Sequence, residues 1–267
     1  MSPRVPLTDR LPGETALDGH HARLVPLQWP DPADALCRLM AQEREELWTY
    51  MLWGPFSSPK DAENALRERQ ETGNTMAIVA PTGAVMGTAS FLRIRPEHGS
   101  AELGSIVYGQ AMQRSLAGTE AMFLMMRHLF DDLAYRRCEW KCNAENDRSF
   151  RAAERLGFTF EGVHRQDMIA KGTNRDTAWF SLLDNEWPER SRALSAWLDP
   201  SNRDETGLVL DLLVLDEQNP RSLGFQLEAI ARHLASLPEA MEGASRTEAR
   251  RDALALRTAV QLVDVDV

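Results

Sequence analysis

A mixed α/β fold, one sheet with helices on its faces, follows from three features of the 267-residue chain. Between residues 22 and 190 the hydrophobic period switches repeatedly between 2 and about 3.6 residues. Gly, Pro and Asn punctuate the switches. The resulting order is strand, two helices, three strands, helix, strand, helix, two strands, which interleaves the two kinds of element.

Residues 1–21 are rich in Pro, Gly and charge, show no period, and read as a loose N-terminal arm. Residues 22–27 form a first strand. Residues 32–53 read as helical, with Leu36, Leu39, Met40, Leu47 and Met51 on one stripe. Ser57-Ser58-Pro59 opens a second helix, with Pro59 where no backbone donor is needed, and Gly73-Asn74 ends it. Residues 75–80 and 85–94 flank Pro81-Thr82-Gly83-Ala84, a hairpin signal. Residues 96–99 make a second turn, and 101–108 a further strand. Residues 116–133 carry Ala117, Ala121, Leu124, Met125, His128 and Leu129 at helical spacing. Residues 137–142 return to alternation. Residues 147–156 form a short helix stopped by Gly157, and 159–169 and 177–183 are the last strands.

A composition shift follows Trp187-Pro188. Residues 191–205 read as a linker and 206–267 as purely helical. In that tail Asn219-Pro220 is a start signal, and Leu223, Leu227, Ile230, Leu234 and Leu237 form an apolar stripe. Ser245-Arg-Thr-Glu248 is a capping box for a last helix.

Composition excludes several functions. Forty acidic against thirty basic residues give a net charge of −10, which argues against a nucleic-acid or anionic-membrane partner. Apolar runs such as residues 208–215 fall short of the roughly 20 residues that span a bilayer. Residues 1–30 show no secretory signal. Three cysteines make no disulfide framework, and a cytoplasmic location is expected. Cys138 and Cys142 share one strand face, as a metal pair or as two buried thiols; no His or Cys cluster completes a metal site.

The chemistry concentrates in residues 100–187. A strand ends at Tyr108-Gly109, and a loop of polar and small residues leads into a helix; its N–H groups and the helix N-terminus favour an anion such as a pyrophosphate. An ordinary helix start is the alternative. Asn146-Asp-Arg-Ser149 opens the next helix and Arg155-Leu-Gly-Phe158 closes it.

These motifs, S-A-E-L-G-S-I-V-Y-G, Q-R-S-L-A-G-T-E-A, W-K-C-N-A-E-N-D-R-S-F-R-A-A-E-R-L-G-F-T-F-E-G and K-G-T-N-R-D-T-A-W-F, resemble the GNAT superfamily of acyl-CoA-dependent N-acetyltransferases over residues 20–190. The branch resembled acetylates ribosomal-protein N-termini. The resemblance implies a GNAT-like, mostly antiparallel sheet flanked by helices, and acetyl-CoA as co-substrate. It implies transfer to a primary amine, a protein N-terminus or a small molecule, by direct attack on the thioester. It assigns the acyl-CoA site to Ile106 and Val107 on the strand, to Gln113, Arg114, Ser115, Leu116, Ala117, Gly118 and Thr119 in the loop and helix start, and to Asn146 and Ser149. Leu116 stands where the family has a glycine, and a side chain there narrows the approach.

Glu102 matches the family's general base; the alternative is a solvated edge carboxylate. A backbone N–H near Val107 and Tyr108 would hold the thioester carbonyl. Ala153 stands where many members carry a tyrosine as general acid; either Tyr108 or Ser149 substitutes, or no dedicated acid acts and the thiolate leaves unaided or takes the amine's proton. Residues 171–177 read as a charged hairpin near the acceptor mouth, where Arg175 or Asp176 would orient substrate. Trp48, Trp53 and Phe56 form either an acceptor wall or core. His98, His128 and His164 share no partner visible in sequence and read as non-catalytic.

The tail resembles a fragment of the α-E family, helical bacterial proteins. It reads as an appendage packed on the sheet, a seam for a homodimer, a natural fusion, or a gene-boundary artefact. A non-catalytic acyl-CoA- or partner-binding scaffold is the rival to the enzyme.

Overall fold

The computed structural model describes residues 9–202, and the chain divides into two units between Ser191 and Arg192. The described strands form one sheet. They are β1 (Leu17–Asp18), β2 (Arg23–Pro26), β3 (Gly73–Val79), β4 (Val85–Arg95), β5 (Ser100–Tyr108), β6 (Arg137–Asn143), β7 (Thr159–Ala170) and β8 (Thr173–Leu183). Their order across the sheet is β1-β2-β3-β4-β5-β6-β8-β7. Each neighbouring pair is antiparallel except β5 and β6. The helices are α1 (Ala33–Gln42), α2 (Pro59–Gln70), α3 (Leu116–Arg127), α4 (Asp147–Arg155) and α5 (Trp187–Leu198). A parallel pair needs a crossover, and α3 supplies it.

Strand alternation assigns the faces. Ala77 and Val107 face α1 and α2, in a core with Leu36, Met40, Trp48, Ala62 and Leu66. Phe91, Leu103 and Trp140 point the other way. Phe91 lies 6.1 Å from His128, just after α3, and Trp140 Nε1 donates to Ser149 Oγ on α4 (3.2 Å). Every residue of α3 from Ala117 to Met126 is buried, as expected of a helix enclosed on all sides.

Three expectations are corrected. The helical stretch over residues 32–53 ends at Gln42, because Glu43 and Arg44 turn extended. That break frees the Glu43 carboxylate to accept from Gln110 N (3.1 Å). It also redirects the chain so that Trp48 is fully buried against Phe56, with ring centroids 4.9 Å apart. The loose arm is, over residues 9–21, tied down. β1 pairs with β2, Tyr135 Oη donates to Arg10 O (3.2 Å), and Asn74 Nδ2 donates to Pro12 O (2.6 Å). The N–H groups of His20, His21 and Ala22 all donate to the Glu120 carboxylate of α3 (2.9, 2.6 and 2.8 Å). Finally, α5 runs through the start of the expected linker. Trp187-Pro188 opens that helix, since Pro suits a first turn. The helices expected over residues 219–238 and after residue 245 lie outside the described residues.

Candidate active site

The site begins where two strands part. β5 and β6 pair in register from Ser100↔Arg137 to Leu103↔Trp140 and no further. Beyond that point β5 continues to Tyr108 and β6 to Asn143 without pairing each other. The β6-facing edge of residues 104–108 therefore has no strand neighbour, and Tyr108 O accepts from the Gln113 side chain instead. A bulge accentuates the turn-away. Ser105 and Ile106 stand opposite Ala89 alone, between the pairs Ser90↔Gly104 and Thr88↔Val107, and Ser105 takes a φ of 49°. Ile106 and Val107, expected to meet the cofactor, lie on this stretch, and Val107 turns its side chain into the α1–α2 core.

Glu102 sits at the vertex, on the α1–α2 face, with only 2% of its side chain exposed. Its Oε2 lies 3.2 Å from Lys141 Nζ and 3.8 Å from Arg93 Nε. Burial pushes its carboxyl above the usual carboxylate range. Lys141 and Arg93 counter this, and Glu139, its partner in register on β6, adds to it. A proton acceptor with a raised pKa suits general-base work near neutral pH. The solvated edge carboxylate is thereby excluded.

The ion pairs continue across the same face. Arg95 and Arg137 donate to Glu139 (2.8 and 2.9 Å), and Arg137 makes a forked pair with Glu161 (2.8 and 2.6 Å). Sequence reasoning passed over these groups. Their signal was the alternation in R-C-E-W-K-C-N, which sets Arg137, Glu139 and Lys141 on one face and Cys138, Trp140 and Cys142 on the other. Cys138 and Cys142 are buried, and burial raises both thiols.

The loop after β5 is held by its own side chains. Ser115 caps α3, accepting from Gly118 N (3.3 Å) and donating to Met112 O (2.7 Å). That leaves the first-turn N–H groups of Leu116 and Ala117 without intrahelical acceptors. Gln113 Nε2 donates to Tyr108 O (3.2 Å). Arg114 takes the left-handed conformation (φ 58°) although it is not glycine. Leu116 is the first helical residue, a position with no need of positive φ, which explains why glycine is dispensable there. At Gly118 a Cβ would stand 3.2 Å from the Tyr108 ring, close enough that the ring would have to give by a few tenths of an ångström. Thr119 Oγ1 accepts from Arg155 Nη1 of α4 (2.8 Å). Burial lowers the pKa of Arg155, and only Tyr108 counters it. Sequence reasoning missed this cation beside the helix start.

Several of the expected site residues have partners within the protein. The Tyr108 hydroxyl donates to Gly118 O (2.9 Å), and burial raises its pKa. That bond fastens the loop to β5. Ser149 Oγ accepts from Trp140, and Asn146 Oδ1 caps α4 by accepting from Ser149 N (3.2 Å). Trp53 is 8% exposed and packs in the core, with ring centroids 5.9 Å from Trp48 and 5.7 Å from Phe56. Asp176 Oδ1 accepts from Gln166 N (2.7 Å), pinning the irregular part of β7. The hairpin turn itself is Lys171-Gly172, both with positive φ, so Arg175 and Asp176 lie within β8. Lys171 Nζ donates to Trp48 O (2.7 Å). Arg175 alone of the expected acceptor residues lies buried on the Glu102 face.

The chain is similar to known acetyltransferases in sequence and in fold. Residues 22–159 match the family described as an acetyltransferase (GNAT) domain, and residues 201–267 a predicted alpha-helical domain with a conserved ER motif. An uncharacterized N-acetyltransferase p20 of Bacillus licheniformis is 31% identical over 163 residues, covering 59% of this chain and 90% of that protein. A putative ribosomal N-acetyltransferase YdaF of Bacillus subtilis is 24% identical over 164 residues, covering 59% and 89%. A solved GCN5-related N-acetyltransferase from Brucella melitensis is 39% identical, with a TM-score of 0.74 over 78% of this chain and 96% of that one. With a family match over half its length and the same sheet, the chain belongs to the GNAT acetyltransferases.

Proposed function

We propose that the chain transfers the acetyl group of acetyl-CoA to a primary amine, with Glu102 as the base. The observation that carries this reading is the divergence of β5 from β6 with a buried, raised-pKa carboxylate at its vertex. The chain's groups fit acetyl-CoA at both ends. The N–H groups of Leu116 and Ala117 and the Arg155 guanidinium suit a pyrophosphate. The open edge of residues 104–108 suits an amide-bearing arm and a thioester carbonyl. Acetyl-CoA supplies the activated acyl carbon; the protein supplies position and proton transfer.

Glu102 accepts a proton from the incoming ammonium or amine, directly or through one water. An α-amine, with a pKa near 8, asks less of that base than a lysine near 10.4. Backbone N–H groups of the β5 edge stabilise the oxygen charge that develops as the new C–N bond forms and the C–S bond breaks. Tyr108 and Ser149 are committed elsewhere. The proton given up by the amine therefore balances the one the departing sulfur gains.

Calorimetric titration with acetyl-CoA, followed by thiol release across a panel of amines, tests the reading. Micromolar binding and acceptor-dependent thiol release are expected. No binding at millimolar acetyl-CoA overturns it. Binding with no transfer to any amine leaves the acyl-CoA-binding scaffold.

A further inference from the structure

Arg175 is a buried cation without a counter-ion. It is 8% exposed, and no carboxylate lies within ion-pair distance of it among the described residues. Its Nη1 makes one long bond to Tyr50 O (3.5 Å), and its Nε has no partner. Burying an unpaired charge costs several kcal/mol, and proteins avoid it unless something else neutralises the group. Nearby polar atoms share the condition. Thr177 Oγ1 and Trp179 Nε1 alternate with Arg175 along the same face of β8, are buried, and make no hydrogen bond. Trp179 stands opposite Lys141 in register, and Lys141 pairs with Glu102. Donors without acceptors thus line the sheet from the vertex outward, under residues 48–50 of the α1–α2 connection.

We infer that Arg175, with Thr177 and Trp179, forms an acceptor subsite for a carboxylate, so that the preferred acceptor is a primary amine carrying a carboxylate close by. The inference rests on acetyl transfer at Glu102 and names its acceptor class. An uncharged carbonyl would satisfy the hydrogen bonds but would leave the guanidinium unneutralised. The pyrophosphate of acetyl-CoA is placed elsewhere, at the α3 N-terminus. Asp167, the other acid close enough to act on Arg175, lies 3.7 Å from His164, and Glu102 is held by Lys141. A free amino acid and a peptide with an acidic first residue present the same pair of groups.

Three acceptors separate the possibilities: L-alanine, L-alaninamide, and an amidated peptide beginning with aspartate. With the wild-type protein, kcat/KM for an acceptor with a carboxylate should exceed that for L-alaninamide by about 10- to 100-fold, the range of one hydrogen-bonded charge. Which of the other two is favoured identifies the source. Arg175→Met should abolish the preference chiefly through KM, and Arg175→Lys should restore part of it. Because Met removes an unneutralised charge, its melting temperature should equal or exceed the wild type's. A residue with a merely structural role would lower it. Equal kcat/KM for all three acceptors in the wild type overturns the subsite while leaving acetyl transfer standing. Calorimetric binding of L-alanine but not L-alaninamide, lost in Arg175→Met and without transfer to any amine, upholds the subsite while the reaction falls.

Discussion

Replacing Glu102 by Gln keeps the volume at the vertex and removes its charge. At 3.2 Å, and with an effective dielectric constant of about 20, Lys141 attracts the carboxylate by about 5 kcal/mol. Burying that carboxylate costs several kcal/mol, and its raised pKa says that burial prevails. Gln discards both contributions. Lys141, 22% exposed and 5.2 Å from the Trp179 ring, keeps water and an aromatic face. The net change in stability at neutral pH should therefore be small, about 1 kcal/mol and stabilising. Catalysis should respond differently, with kcat/KM falling by about 10²- to 10⁴-fold while acetyl-CoA affinity stays within about twofold. The pH dependence has a definite sign. Glu102 works deprotonated, so wild-type kcat/KM rises with pH through its raised pKa, and the variant loses that limb. For stability, a raised folded pKa favours the native state below the unfolded carboxylate range. That benefit is lost as pH rises through the folded value. Glu102→Gln should flatten this fall. Thiol release across pH, with thermal melts at the same pH values, checks both effects. A variant within tenfold of wild type that keeps the rising limb would refute Glu102 as the base.

Tyr108→Phe should cost about 1 kcal/mol through the lost bond to Gly118 O and lower kcat less than about threefold; a 100-fold loss in steady-state assays would restore Tyr108 as the acid. Glu120→Ala leaves three backbone donors without their carboxylate and should destabilise by about 3 kcal/mol or more. Its thermal midpoint should then fall roughly 6–12 °C, and a fall under 2 °C would contradict the tie. Leu116→Gly should change the acetyl-CoA dissociation constant by less than about threefold, since position 116 is ordinary helix. Tenfold tighter binding by calorimetry would show that the leucine obstructs the loop.

Local chemistry made much of this legible in the sequence. Ser58, Ser115 and Asn146 cap α2, α3 and α4 as their residue types suggest. Apolar runs around turn residues marked β3 and β4, and alternation marked β6. What escaped depends on groups far apart in the chain. Glu102 meets Lys141 and Glu139 only through the parallel register of β5 and β6. Arg155 meets Thr119 across 36 positions. β1 is two residues long, too short for any period to show. Trp48 illustrates a tertiary override. Its apolar stripe fits a helix, yet burying the indole beside Phe56 required the helix to end at Gln42. Tyr108 is a further case, since its bond to Gly118 O joins two residues that nothing in the sequence pairs.

The three amides held by Glu120 have a consequence in time. His20 and Glu120 are 100 positions apart, so at about 5–20 residues per second a ribosome makes the acceptor about 5–20 s after the donors. During that interval Gly19–Ala22 can be hydrogen-bonded only to water or to passing partners. β2 has only the two-residue β1 beside it until Met76–Val79 is made. Gly19–Ala22 thus gains these bonds well after it is made, and nascent chains released before residue 120 should leave it open to proteases.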